Sequence, residues 1–417
     1  MTTETQQEDT PLDRRALRAS YGLGLLSLAL SDLYVLVVPL LALSLGASAT
    51  EIGLLMGARS ILPALLSIHG GSLMDRLGAR RVMIFCTFMV AAMAPVFASV
   101  SWFPVLLVVQ TFTGLFVTMN WIGAQTLVAH ACRGQAGPLG KFNFIARFGT
   151  VGAPVLAGLI WDLGGAWPTF FMLMAWALAT CLLAYRSPEP NDDIAPISPG
   201  KAILSAMPRV SDYTRSFALM LIPIIAFTVV VAGLRNAGTG IQSSIYVIYL
   251  EGIGFPATSI GILFGALEVT TGLASLAVGW VRKLGRPEWI LLATTAISLS
   301  LIAITPFLGG VFALLLLMQL LRGAAQGFMQ PLMFSIQSLS VRKDEQGAVV
   351  GLRMTANRVF SVVLPPVTGF LVDAFGLTAA FVISGVFLIG VCAFLAILVL
   401  RRPELAFDRQ VSRSGER

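Results

Sequence analysis

Residues 379–400 read AAFVISGVFLIGVCAFLAILVL, twenty-two positions without one charged side chain. A helix needs roughly 20 mostly apolar residues to cross about 30 Å of hydrocarbon, and a lone strand could not satisfy its backbone there. The stretch shows no alternation of period two and is about twice the length of a barrel strand, so it predicts a membrane-spanning helix. Comparable runs recur at approximately Ala19–Leu45, Glu51–Leu73, Val82–Val100, Pro104–Ala129, Phe142–Trp161, Thr169–Tyr185, Phe217–Leu250, Ser259–Val281, Trp289–Phe307, Val311–Ser340 and Ala348–Val372. With Ala379–Leu400 they make twelve predicted spans. Composition agrees: 56% of the 417 residues are hydrophobic and 12% charged, against roughly 45–50% and about 25% in soluble domains.

Short cytoplasmic loops retain Lys and Arg. With the amino terminus inside, the inner segments collect Arg14, Arg15, Arg18, Arg76, Arg80, Arg81, Arg133, Lys141, Arg186, Arg282, Lys283, Arg286, Arg342, Lys343, Arg401 and Arg402 among others, and the six outer loops hold none. The expectation is a multi-pass protein of the inner (plasma) membrane with both termini cytoplasmic. The net charge of +7 then belongs to this inner collar and implies no nucleic-acid partner. The first eighteen residues are polar, and the apolar run behind them is too long for a signal-peptide core, so no cleavage is expected. Cys86, Cys132, Cys181 and Cys392 lie in spans or inner loops, which gives no disulfide framework, and with only His69 and His130 no metal site or cofactor is expected.

The segment 186–216, with five prolines and mixed charge, divides the chain. The predicted organisation is a tail at 1–18, a six-helix bundle at 19–185, the linker 186–216, a second six-helix bundle at 217–400 and a tail at 401–417. An internal repeat supports the division: Gln135, Gly140, Arg147, Pro154, Gly158, Asp162 and Phe170 recur 211 residues later as Gln346, Gly351, Arg358, Pro365, Gly369, Asp373 and Phe381. Parallel half-repeats place a substrate site between the halves near the membrane midplane, reached from alternate sides as the halves rock.

The loop after span two reads Gly71-Ser72-Leu73-Met74-Asp75-Arg76-Leu77-Gly78-Ala79-Arg80-Arg81. It resembles the G-x-x-x-D-R-x-G-x-R-R loop of the major facilitator superfamily at every defining position. The resemblance implies an all-α fold of twelve helices in two pseudo-symmetric bundles, working as a monomer. It also implies that Gly71, Asp75, Arg76, Gly78, Arg80 and Arg81 form a gating loop that latches the outward-facing state. An ordinary basic inner loop would explain the arginines but not the Gly-Asp-Gly spacing. In the second half only a degenerate copy, Gly279 to Arg286, remains, without an acid. Span five also resembles the G-x8-G-x3-G-P-x2-G-G pattern of antiporters in this superfamily, through Gly140, Gly149, Ala153, Pro154, Ala157 and Gly158, with alanine at two glycine positions. That resemblance implies export by antiport, set against plain small-residue helix packing. Span four departs from the exporters' R-x-x-Q-G, carrying Gln110 ahead of Gly114, whereas the second half has Arg322 with Gln326 and Gly327.

Charges inside spans are costly, roughly 2.5–3.5 kcal/mol each at a helix centre on insertion scales, so they should be paired or line a wet cavity. The deep ones are Asp32, Arg59, Arg235, Glu268 and Arg322. Asp32 and Glu268 are the expected proton-coupling carboxylates, because a carboxyl held between desolvation and a nearby arginine can change protonation. A static Asp32–Arg59 pair is the structural alternative. Arg59, Arg235 and Arg322, with Asn120, Gln242, Gln326 and Tyr34, are the expected substrate-cavity residues, and the surplus of arginine over acid suits an anionic group. Arg147, Arg353 and Arg358 are read as inner-end gating or structural residues. Gly233, Arg235, Asn236, Gly238, Gly240 and Gln242 point to a locally broken span seven.

These readings predict a secondary transporter, not an enzyme, that exports a small organic molecule in exchange for protons. Uptake or exchange of an organic anion by the same fold is the alternative. A non-transporting sensor or scaffold is the alternative of another class.

Overall fold

Every apolar run closes its backbone hydrogen bonds as a helix, as hydrocarbon demands. The computed structural model describes residues 14–132, 135–187, 219–341 and 346–402. Span one is α1 (Arg14–Ser44); span two is divided into α2 (Ala49–Ala58) and α3 (Ile61–Leu77). Spans three to six are α4 (Ala79–Ser99), α5 (Phe103–Ala131), α6 (Ala136–Gly164) and α7 (Ala166–Arg186). Span seven consists of α8 (Pro223–Ser243) and α9 (Ile245–Gly252), and span eight is α10 (Ala257–Leu276) followed by the single turn α11 (Val278–Val281). Spans nine to twelve are α12 (Pro287–Ala303), α13 (Phe312–Ser340), α14 (Gln346–Phe375) and α15 (Leu377–Arg401). Eleven of these spans are long and apolar enough to cross a membrane; α12, with 17 residues, is the shorter twelfth. The linker beyond residue 187 and both tails lie outside the described residues.

Two of the breaks have chemical causes. Pro63 has no N–H to bond the carbonyl of Arg59, and its ring would clash with that carbonyl in a continuous helix. Span two therefore pauses at Arg59 and Ser60, where Ser60 N–H bonds Gly57 O at 2.9 Å instead. The freed carbonyl of Arg59 lies against Gly114, where any side chain would collide with it. In span seven the glycine-rich stretch 233–243 stays helical, and the interruption falls at Ser244 (φ −124°, ψ −88°), beyond the expected residues. There the Gly240 carbonyl accepts both the Ser244 hydroxyl (2.7 Å) and the Ser243 hydroxyl (3.1 Å), the kind of local side-chain bond that competes with continuing helix.

The first half packs α1 against α5, α6 and α7, and α4 against α5 and α7. Phe97 stacks on Phe170 with centroids 5.4 Å apart and meets the tilted Tyr34 ring at 5.8 Å in its interior. The second half packs α10 and α12 on α13, and α8 on α14. The halves meet along two seams, α6 with α10 and α2 with α14. Inner and outer here denote the faces expected to be cytoplasmic and external.

At the outer end of each seam a carboxylate from one half caps a helix of the other. Asp162 of α6 accepts the N–H groups of Ala257 and Thr258, both at 2.8 Å, and the Thr258 hydroxyl at 2.6 Å. Asp373 of α14 accepts those of Ala49 (3.1 Å) and Thr50 (2.8 Å) and the Thr50 hydroxyl (2.5 Å). Unpaired N–H groups and the helix dipole make such ends favourable for negative charge. Below each clasp, glycines allow backbone contact. Gly158 meets the Ala257 carbonyl, Gly261 that of Pro154 and Gly265 that of Val151; in the other seam Gly369 meets Ala49, Gly53 meets Pro365 and Gly57 meets Val362. Toward the inner face the repeat partners Gly140 and Gly351 have nothing within 4 Å of a built Cβ. The seams are tight outside and loosen inward.

Candidate functional site

One helical turn inward from Gly265 and Val151, the α6–α10 seam ends in chemistry. Arg147 of α6 donates to the Glu268 carboxylate of α10, an ion pair that joins the two halves, with 36% and 25% of the side chains exposed. Arg147 sits seven residues, about two turns, before Pro154, on the face of α6 that meets α10. Glu268 sits three residues beyond Gly265, on the face of α10 that meets α6.

Asp32 of α1 is half-buried and within electrostatic reach of Arg59, Arg147 and Glu268. Among the described residues it forms no hydrogen bond or ion pair. Arg59, the expected partner, donates instead to the neighbouring Ser31 hydroxyl at 2.9 Å. Arg235 lies within reach of Glu268 and Arg147, and its buried Nε has no hydrogen-bond partner among the described residues. Arg353, 4% exposed, stacks its guanidinium 4.1 Å over Phe334. Arg358 is half-buried and close enough to Arg59 to repel it. Arg147, Arg353 and Arg358 thus belong to the same electrostatic cluster as the charges expected to be deep. Span five was expected from Phe142, whereas α6 starts at Ala136, which puts Arg147 eleven residues into the helix. The face it shares with Pro154 and Gly158 is the signal that could have placed it.

The remaining expected cavity residues are buried within their own halves. Arg322 is 0% exposed and donates to Gln242 (2.5 Å), Gln319 (3.4 Å) and the Gly238 carbonyl (2.8 Å). Gln326 donates to Ser298 at 3.3 Å. Asn120 accepts from Thr87 (3.1 Å) and Ser27 (3.4 Å), and the Tyr34 hydroxyl, 2% exposed, reaches the Val90 carbonyl at 3.5 Å. Each of these groups has at least one neighbour holding it in this conformation, while the Arg322 Nε and the Asn120 Nδ2 are buried without a partner among the described residues.

In the loop after span two, Gly78 joins α3 to α4 at φ +91°, a conformation that glycine adopts without steric cost. Arg80 lies 5.3 Å over the Tyr185 ring, and Arg76 and Arg81 are exposed. The backbone at Gly71 and Asp75 continues α3, and the side chain of Asp75 lies outside the described residues. Among the small residues of α6, Gly149 meets the Leu25 carbonyl of α1, while Pro154 and Gly158 meet α10. The pattern therefore serves close packing both within the first half and across the seam. No group of three or more His, Cys, Asp or Glu able to hold a metal ion occurs among the described residues.

The sequence profile of the Major Facilitator Superfamily matches residues 21–236 and again 228–415. Among solved structures, the nucleoside transporter NupG aligns with 93% of this chain and 98% of its own at 15% identity, TM-score 0.71. A bacterial homolog of the human lysosomal transporter Spinster, in an inward-facing and unoccupied conformation, aligns over 95% and 97% at 14% identity, TM-score 0.72. The human organic anion transporter MFSD10 aligns over 93% and 100% at 18% identity, TM-score 0.59. Identities this low establish a shared fold. A sequence comparison with curated proteins returns no match.

Proposed function

The chain belongs to the major facilitator superfamily, and on that premise we propose that it carries a small organic solute through the midplane cavity by alternating access, coupled to protons through Asp32 and Glu268. The observation that carries this reading is the Arg147–Glu268 pair with the unpaired Asp32 beside it. Two carboxylates share the field of Arg147 across a joint between moving halves, so rocking the halves changes which carboxylate is neutralised and which takes a proton. The antiporter-like pattern of α6 supports exchange and export as the mode. The excess of arginine at this depth supports the second reading, uptake or exchange of an organic anion. The same coupling is proposed for a monomer in the inner membrane with both termini cytoplasmic and Gly71–Arg81 as its gating loop.

The test uses purified protein in liposomes with an internal pH dye, challenged with lipophilic drugs and with organic anions. Solute-evoked proton flux in the wild type, reduced at least about tenfold in Asp32→Asn, is the expected result. Flux of equal size in Asp32→Asn and Glu268→Gln removes both carboxylates from the coupling.

A further inference from the structure

The two seams between the halves are copies of each other, and their registers can be compared position by position. Along α6 and α14 the offset is 211: Val151, Pro154, Gly158 and Asp162 correspond to Val362, Pro365, Gly369 and Asp373. Along α10 and α2 it is 208: Ala257, Thr258, Ile260, Gly261 and Gly265 correspond to Ala49, Thr50, Ile52, Gly53 and Gly57. Both clasps and all three glycine–carbonyl contacts obey these offsets. Continued one turn inward, the same register takes Arg147 to Arg358 and Glu268 to Ser60. The correspondence ends at the charge. Where the first seam places a carboxylate against its arginine, the second has a serine hydroxyl, and next to it a further guanidinium, Arg59.

Arg358 therefore holds the register position of Arg147 with no carboxylate at the position opposite, and Arg59, next to Ser60, lies within reach of both Arg358 and Asp32. Both arginines are half-buried, and Arg358 forms no hydrogen bond or ion pair among the described residues, while Arg59 reaches only the Ser31 hydroxyl. The two like charges lie close enough to repel one another, while the one carboxylate within reach of Arg59, Asp32, forms no ion pair with it. Arg235, within reach of Glu268 and Arg147, and Arg353, within reach of Arg235, extend the positive field on the side of the first seam. Paired guanidiniums of this kind take carboxylate or phosphate oxygens in preference to neutral acceptors.

We propose that the transported solute carries a carboxylate, phosphate or phosphonate group, and that this group seats between Arg358 of α14 and Arg59 of α2, in the position Glu268 holds against Arg147 across the other seam. The solute then completes by its own charge the second bridge between the halves. This inference rests on the reading of the midplane cavity as the solute's path and selects its organic-anion branch.

The test is made on the full chain in neutral detergent free of anionic lipid, at fixed ionic strength, with sodium benzoate, phenylphosphonate and the neutral isostere benzamide as probes. Thermal unfolding of the wild type should shift upward with benzoate or phenylphosphonate and not with benzamide, since a ligand stabilises the state it binds. Arg358→Gln should weaken the apparent affinity for the anion roughly tenfold or more, with Arg358→Lys restoring part of it. Ser60→Glu should supply the missing carboxylate from within, raising the unfolding temperature without ligand and abolishing the anion response. A response equal for benzoate and benzamide, no response to either anion, or an anion response that survives both Arg358→Gln and Ser60→Glu overturns the seat. Radiolabelled benzoate uptake into liposomes separates the two layers. Binding that behaves as stated without any uptake leaves the seat and removes the transport reading, whereas anion-evoked proton flux unaffected by Arg358→Gln leaves transport and removes the seat.

Discussion

Asp162 and Asp373 each gather two backbone N–H groups and a threonine hydroxyl from the opposite half. Charge-assisted hydrogen bonds contribute about 1.5–3 kcal/mol net, and a helix N-terminus adds roughly 0.3–1 kcal/mol. Asn keeps one acceptor and loses the charge, so Asp162→Asn with Asp373→Asn should move the equilibrium toward an outer-open state by tenfold or more. Spin labels at Ser44 and Ala374, exposed positions on opposite halves, would report this as a new, longer distance population. A distance distribution identical to the wild type would show that the clasps follow closure rather than hold it. At this scale the sequence was partly legible. Asp32 and Glu268 stand out because a lone acid in an apolar run is visible without any structure. The partner of Glu268 does not, since Arg147 lies 121 residues from it and pairing depends on how two distant helices are rotated toward one another.

Among the elements, the glycine ladders of α2, α10, α6 and α14 decide how near the halves come. A valine at Gly261 would drive its side chain into the Pro154 carbonyl; a backbone atom cannot yield as a side-chain tip can. Gly261→Val should therefore prevent outer closure and lower transport about tenfold or more, read as solute flux in liposomes. Gly140→Ala and Gly351→Ala, which face open space, should leave flux and stability near wild type, within about 1 kcal/mol. Equal losses in all three variants would deny the ladders any special part in closure. The twelve spans themselves were readable because apolar length is a local property of the chain. The interruption of span seven was not placed correctly: glycine lowers helix propensity only modestly, and in a bilayer the backbone keeps its bonds until serine hydroxyls offer the Gly240 carbonyl another partner. Pro63, by contrast, lies in plain view in the sequence, but proline alone does not set the break, since Pro154 and Pro365 sit inside the unbroken α6 and α14; at Arg59 the lost hydrogen bond coincides with a halt that the chain around it accommodates.

For the whole molecule, the sign of coupling separates the two modes of transport. An anion seated at Arg59 and Arg358 brings negative charge beside Asp32, so solute and proton load together by linkage. Addition of benzoate to unbuffered protein should then draw protons from solution, measured with a pH dye, and Asp32→Asn should diminish the uptake. Proton release on addition would instead mark exchange, the mode that the α6 pattern implies. The reciprocity of the two clasps also has a consequence for how such a chain can arise. Asp162 of the first half reaches Ala257 and Thr258 of the second, and Asp373 of the second reaches Ala49 and Thr50 of the first. Each half gives what it receives, which is the rule of an isologous contact in a two-fold dimer. A single six-helix ancestor bearing one such aspartate and one Ala-Thr helix start would have closed both clasps by pairing with itself. Fusion would free the two copies to differ, and Glu268 against Ser60 at corresponding positions is a difference that a symmetric pair of identical subunits could not hold on one side alone.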